Sequence, residues 1–203
     1  MPPERRKMST PHTTIADYEK SFFQKVRSAE FSISGKVIAA DKWLDEVFTC
    51  LNGIKARDKQ LFFIGNGASS SMASHFATDF MKNAGINAVA NDGDALITCF
   101  SNDFSYEHAY LEILKRRFRE GDGLISISSS GKSKNIVNAS NYVRTQHPAS
   151  PVITFTAFQP GNELRTIGTH NLYLPADTYG LAESGHSYYL HMLLDVYIAT
   201  ISA

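Results

Sequence analysis

Two apolar runs, residues 61–64 and 124–127, break directly into loops of small residues and then into segments with helical spacing. The loops read Ile64-Gly65-Asn66-Gly67-Ala68-Ser69-Ser70 and Ile127-Ser128-Ser129-Ser130-Gly131-Lys132-Ser133. A strand that ends in such a loop and feeds a helix is half of a βαβ unit, and two of them commit the chain to a parallel sheet covered by helices. The same construction leaves backbone N–H groups and hydroxyls beside the positive end of a helix dipole, which is how proteins hold a phosphate group. One Gly/Ser loop is also a plain turn. Two, at the C-terminal ends of neighbouring parallel strands, point to a phosphorylated small ligand.

The remaining pattern alternates in the same way. Helical spacing covers about residues 15–31 (Phe22, Val26, Ala29) and 36–55 (Val37, Ala40, Leu44, Val47, Leu51). A strand at 60–64, a helix at 70–84 and a short strand at 87–90 follow, then the Asn91-Asp92-Gly93 turn and a helix at about 104–119. Strand 123–128, helix 133–145, strand 151–155, a short helix at 162–167 and strand 171–174 lead to a final helix from about 182. These runs predict a three-layer α/β/α sandwich with a central parallel sheet of about five strands, preceded by two N-terminal helices. No repeat, low-complexity tract or linker divides the chain, so residues 15–203 are expected to form one domain behind a disordered lead at 1–14.

Composition narrows the partners. A chain of 203 residues, 43% hydrophobic, supports one well-cored domain. Formal net charge is zero, and Arg5-Arg6-Lys7 and Lys115-Arg116-Arg117 are the strongest basic clusters, so nucleic acid is not expected as a partner. Cys50 and Cys99 lie in apolar contexts without CxxC spacing and read as reduced core cysteines of a cytoplasmic protein. No apolar run approaches about 18 residues, so no membrane association is expected. The final segment, with Tyr188, Tyr189, Leu190, Met192, Leu193, Leu194, Val196, Tyr197 and Ile198, is apolar nearly all round. Such a helix is buried in a core or at an oligomer interface, and an oligomer is expected.

Four polar side chains carry possible chemistry. His75 and Asp79 stand i, i+4 and share a helix face within two turns of the first loop. Glu183 and His191 are eight apart on the final helix, roughly 80° around it, with Ser187 between. Two imidazoles and two carboxylates serve acid/base chemistry or bind a tetrahedral metal such as zinc. The ordinary alternative for each is a solvated or locally paired helix residue. His186 lies on another flank of that helix and reads as a packing or hydrogen-bonding residue.

The segments IGNGASSSMASHFATDF, NDGDALITCFSNDFSYE and GDGLISISSSGKSKNIVNA resemble the sugar isomerase (SIS) domain, and more narrowly its phosphoheptose isomerase branch. The shared motifs are GNG-x-S, a following helix with H-x3-acid, an Asp about ten residues before Asn-Asp-Phe, and S-x-S-G-x-S. The resemblance implies phosphate binding at Ser69, Ser128, Ser130 and Ser133, helped by Asn66 and the loop amides that include Gly67. It puts Ser129 near the substrate and Asp92 on substrate hydroxyls. It makes His75, Asp79, Glu183 and His191 a zinc-ligand set, with Asp79, His191 and Glu183 as candidate acid/base groups, and it implies a homotetramer.

The implied reaction is aldose–ketose isomerisation through an enediol, taking sedoheptulose 7-phosphate to D-glycero-D-manno-heptose 7-phosphate. The chain departs from the family's usual residues in four places: Asp79 for glutamate, Ala68 for glycine, Lys132 for asparagine, and Gly180-Leu181-Ala182-Glu183-Ser184 for an acidic-then-Gln pattern. An isomerase of another sugar phosphate, or a non-catalytic SIS protein that binds a partner, is the alternative that these departures keep open.

Overall fold

The computed structural model describes residues 12–202; the expected lead at 1–14 lies for the most part outside them. Helix α1, Ile15–Arg27, starts at Thr14, whose hydroxyl accepts from the Asp17 amide at 3.1 Å. Strands β1, Glu30–Ile33, and β2, Lys36–Ile38, come next, followed by α2, Ala40–Ala56. The chain then runs β3 (Gln60–Gly65), α3 (Ala68–Ala84), β4 (Asn87–Ala90) and α4 (Asp94–Phe104), and after one 3-10 turn at Tyr106–His108 reaches α5 (Ala109–Arg117). It closes with β5 (Gly123–Ser128), α6 (Lys134–Gln146), β6 (Val152–Ala157), α7 (Glu163–Ile167), β7 (His170–Leu174) and α8 (Tyr179–Ile201).

The strands form one sheet in the order β2-β1-β7-β6-β5-β3-β4. From β7 to β4 every neighbouring pair is parallel, as expected, but β1 is antiparallel to both β7 and β2. The sheet therefore has seven strands, not five. The extra pair corrects the expectation of two uninterrupted N-terminal helices, because residues 30–38 form a hairpin. Its two-residue turn has Ser34 at φ 47° and Gly35 at φ 80°, the pair of positive values that a type I′ turn requires. The helix expected at 104–119 is observed as the 3-10 turn and α5, while α4, Asp94–Phe104, is not among the expected elements; Ser105, at φ 97°, separates the two.

Period-two alternation sends side chains to both faces of the sheet. Leu61, Phe63, Ile125, Ile127, Ile153 and Phe155 face α2, α3 and α8, where Trp43 is fully buried and packs near Phe31 and Phe155. Phe62, Ile64, Leu124 and Val152 face α5 and α6, against Tyr110, Ile113, Leu114, Ile136 and Val143. Each such side chain contributes roughly 1.5–3 kcal/mol on burial. After β3 the chain moves outward to β4, then returns to the other side of β3 as β5. The β3/β5 junction is thus the point at which strand order reverses, the place where open α/β sheets hold ligands.

Candidate active site at the strand-order reversal

Both small-residue loops open at this junction. Gly65 ends β3 against the first turn of α3, and a Cβ there would drive into the backbone of Ser69. Gly67 has φ +56°, the left-handed region that glycine enters without steric cost. Gly131 has φ +60°, and a Cβ on it would overlap the Asn162 side chain, which caps α7 by accepting from the Arg165 amide at 3.0 Å. Neither Gly67 nor Ser133, the residues that precede α3 and α6, caps its helix with a side chain, and helix starts left in this way suit an anion.

Side chains fix the loops from outside. Asn66 and Asn135 exchange two amide hydrogen bonds: Asn66 Nδ2 donates to Asn135 Oδ1 at 2.9 Å, and Asn135 Nδ2 donates to Asn66 Oδ1 at 2.8 Å. The Tyr106 hydroxyl also donates to Asn66 Oδ1, at 3.0 Å. The Tyr110 hydroxyl donates to the Gly65 carbonyl at 2.6 Å, and burial pushes its pKa up to about 12, which keeps the donor protonated. The second loop folds on itself, Gly131 N–H to the Ser128 carbonyl at 3.0 Å, while the Ala157 amide holds the Ser129 carbonyl at 3.0 Å.

Two cavities flank the Gly65–Gly67 turn and share Asn66. The smaller, about 150 Å³, is lined by Asn66, Ser69, Ser128, Ser129, Ser130 and Ser133, together with Ile127, Tyr179 and Glu183. All four serines expected to bind phosphate thus meet in one place, with Ser129 beside them. The larger, about 400 Å³, takes in Gly67 and Asp92, with Ser70, Asp94, Thr98, Tyr106, Tyr110 and Asn135. Asp92 therefore lines a different cavity from these serines, and the two cavities meet at Asn66.

A second cluster lies along α3 and α8. His75 Nε2 is 3.3 Å from Asp79 Oδ2, and the His75 and His191 rings are 5.4 Å apart. Buried Phe76 meets both imidazoles edge-on, at 4.9 and 4.7 Å, and sets their planes. One ligand atom from each of His75, Asp79 and His191 lies within 4.8 Å of the others. Two imidazole nitrogens and a carboxylate oxygen suit zinc, and 3.3 Å is about the edge of a tetrahedron with bonds of about 2.0–2.1 Å. Three protein ligands leave a fourth position open. Glu183 is outside this group and lines the serine cavity, two turns earlier on α8.

His186 is fully buried and bonds through Nε2 to the Thr156 carbonyl at 3.2 Å, the hydrogen-bonding role that its position suggested. Desolvation pushes its pKa down to about 4, so the ring is neutral. Cys50 is half-buried, and burial, with Glu46 nearby, pushes its thiol up to about 11, away from a reactive thiolate. Cys99 is exposed on α4 and not in the core.

A sheet reversal framed by serine loops, with a histidine–carboxylate group on the adjoining helices, defines an α/β domain built to hold a phosphorylated small molecule. The chain belongs to the SIS domain family, whose profile matches residues 41–157. Among relatives, the phosphoheptose isomerase of Hamiltonella defensa is 30% identical over 172 residues, covering 80% of this chain and 82% of its own. That of Proteus mirabilis is 29% identical over 192 residues, 91% of each chain. The solved phosphoheptose isomerase from Neisseria gonorrhoeae shares the fold, with a TM-score of 0.77 and 21% identity over 91% of this chain and 97% of that one.

Sequence reasoning did not reach Tyr106, Tyr110, Asn135 or Tyr179. Asn135 sits in the same S-G-K-S-K-N run as the serines, but its partner is 69 residues away. Only the fold brings the two amides together.

Proposed function

We propose that this protein is an aldose–ketose isomerase of a phosphorylated sugar, sedoheptulose 7-phosphate being the substrate and D-glycero-D-manno-heptose 7-phosphate the product. The observation that carries this is the pairing of a serine-lined cavity with a proton- and metal-competent group on one shared pair of helices, α3 and α8. Ser69 and His75 are six residues apart on α3, about 9 Å of helix rise, a spacing suited to an extended phosphosugar. Two relatives, at 29% and 30% identity, carry the name phosphoheptose isomerase.

In this reading Ser69, Ser128, Ser130 and Ser133, with Asn66 and the free amides of the two loops, hold the phosphate. Binding energy at that remote group orients the carbons to be converted. A proton leaves C1 of the ketose, an enediol forms, and a proton returns to C2, while the hydroxyl proton passes from the C1 oxygen to the C2 oxygen. Asp79 and His191 are the groups that take and return protons. His75, Asp79 and His191 are also the side chains that would hold zinc, which when bound supplies a Lewis acid for the carbonyl oxygen. A carboxylate that gives one oxygen to a cation keeps the other as a proton acceptor, so Asp79 retains a base in either case.

The assembly is read as a homo-oligomer, a tetramer by family likeness. Tyr188, Val196 and Ile201 remain exposed on α8, as do Ile15 and Phe23 on α1, and sedimentation velocity tests the number of subunits. Among the described residues no helix is long and apolar enough to cross a membrane.

The test is isomerase activity on sedoheptulose 7-phosphate with the protein as purified, after chelation, and after zinc is restored. Turnover that falls with chelator and returns with zinc is the expected result. Turnover indifferent to chelation keeps the isomerase but removes the metal. No turnover in metal-replete protein overturns the heptose assignment.

A further inference from the structure

The serine cavity is short of positive charge. Five serines line it, and no lysine, arginine or histidine does. Two amides of the second loop are spent within that loop. Gly131 N–H donates to the Ser128 carbonyl at 3.0 Å, and Lys132 N–H donates to the Ser130 hydroxyl oxygen at 3.2 Å. A phosphate dianion taken into such a cavity gives up water without meeting a counter-charge, which is costly.

Lys132 stands at the rim. It lies between Ser130 and Ser133, both of which line the cavity, and it is exposed. It forms no ion pair among the described residues, whereas Lys134, two residues on, pairs with Glu163 at 3.6 Å. Its backbone is pinned from below. The Gly131 carbonyl accepts from the Leu164 amide at 3.0 Å, and Asn162 fills the space that a Cβ on Gly131 would need. The loop thus fixes where the side chain starts and leaves its ammonium unpaired, a compact charge on a flexible stem.

We infer that Lys132 supplies the positive charge of the phosphate site: its ammonium folds from the rim onto the bound phosphate and sets the preference for a phosphorylated over a neutral sugar. The inference rests on the reading above, in which the serine loops hold the phosphate. Hydroxyls and amides offer neutral hydrogen bonds, which a sugar hydroxyl accepts as well as a phosphate does. An ammonium makes a charge-assisted bond about twice as strong, and its attraction grows with the charge of the ligand. Because Lys132 approaches from solvent, salt screens that attraction. The phosphate takes no part in the isomerisation and keeps its charge throughout. The contribution of Lys132 is therefore equal in ground and transition states, and belongs to KM and not to kcat.

Calorimetry with inorganic phosphate and kinetics with sedoheptulose 7-phosphate test this on the full chain, for wild type, Lys132→Gln, Lys132→Arg and Ser133→Ala. At about 20 mM salt, Lys132→Gln is expected to bind phosphate about three- to tenfold more weakly. KM rises by a similar factor while kcat stays within about twofold. Lys132→Arg keeps the charge and is expected to bring both back to within about twofold of wild type. At about 0.5 M salt the gap between wild type and Lys132→Gln narrows to less than about twofold. Phosphate binding in Lys132→Gln within about 1.5-fold of wild type at low salt overturns the inference, as does an arginine variant no better than the glutamine one. Ser133→Ala separates the two readings. If it weakens phosphate binding and Lys132→Gln does not, the serine loops remain the phosphate site and Lys132 is removed from it. If wild type binds no phosphate, the serine-loop reading falls and takes the role of Lys132 with it.

Discussion

The reciprocal amide pair of Asn66 and Asn135 should behave as a single energetic unit. Asn135 is 1% exposed, gives and receives one hydrogen bond with Asn66, and also accepts from the Ile136 amide at 3.0 Å. At about 1 kcal/mol net for each neutral hydrogen bond, the two shared bonds amount to about 2 kcal/mol, and Asn135→Ala, which loses all three, costs about 3 kcal/mol. For a chain of this size that lowers Tm by about 6–12 °C. Asn66→Ala forfeits the same two bonds and the one from Tyr106. The double variant should then be less destabilised than the sum of the singles by about 2 kcal/mol, because the shared bonds are counted once. Urea denaturation of the four proteins gives this coupling directly. Additivity within about 0.5 kcal/mol would mean that the two amides do not hold each other, and that the loop is fixed by the helix starts alone.

Two further outcomes follow from the site and its supports. His191→Ala should lower turnover of sedoheptulose 7-phosphate by at least about a hundredfold while equilibrium binding of the sugar phosphate stays within a few-fold; an active variant removes His191 from the chemistry. The pKa of His186, about 4 in the folded protein against an ordinary 6.5, lies on the side where unfolding takes up a proton. Its contribution is therefore full above pH 6.5 and is lost as pH falls towards 4, a total of about 3 kcal/mol. His186→Phe should flatten the pH dependence of urea stability across that window, and an unchanged slope would place the acid sensitivity elsewhere.

Much of the parallel sheet was legible because β3, β5, β6 and β7 are short apolar runs followed by turn residues, the local pattern that buried strands leave in a sequence. The hairpin escaped because its residues, Phe31 to Ile38, also complete the helical spacing on either side. What separates the readings is Ser34-Gly35, two residues at positive φ, and a partner strand, β7, far along the chain. Helix α4, Asp94–Phe104, is the other element not expected, although Leu96, Ile97, Phe100 and Phe104 stand at helical spacing directly after the Asn91-Asp92-Gly93 turn. In the site, the serines and the His75–Asp79 pair were readable from local spacing. The separation of Glu183 from His191 was not, because helical angle alone does not reveal which neighbour each side chain faces.

The added hairpin ties the ends of the chain together in time as well as in space. Glu30 pairs with Tyr173 across β1 and β7, the Tyr189 hydroxyl donates to the Val26 carbonyl at 2.6 Å, and Tyr197 reaches Asn52 at 2.9 Å. Strands β1 and β2 thus leave the ribosome with no sheet to join until β7 emerges, and α1 lacks its contact with α8 until that helix follows. Until β7 emerges the hairpin carries an unmatched edge, a hazard that β7 then covers. Losing the last helix would therefore unfasten the first.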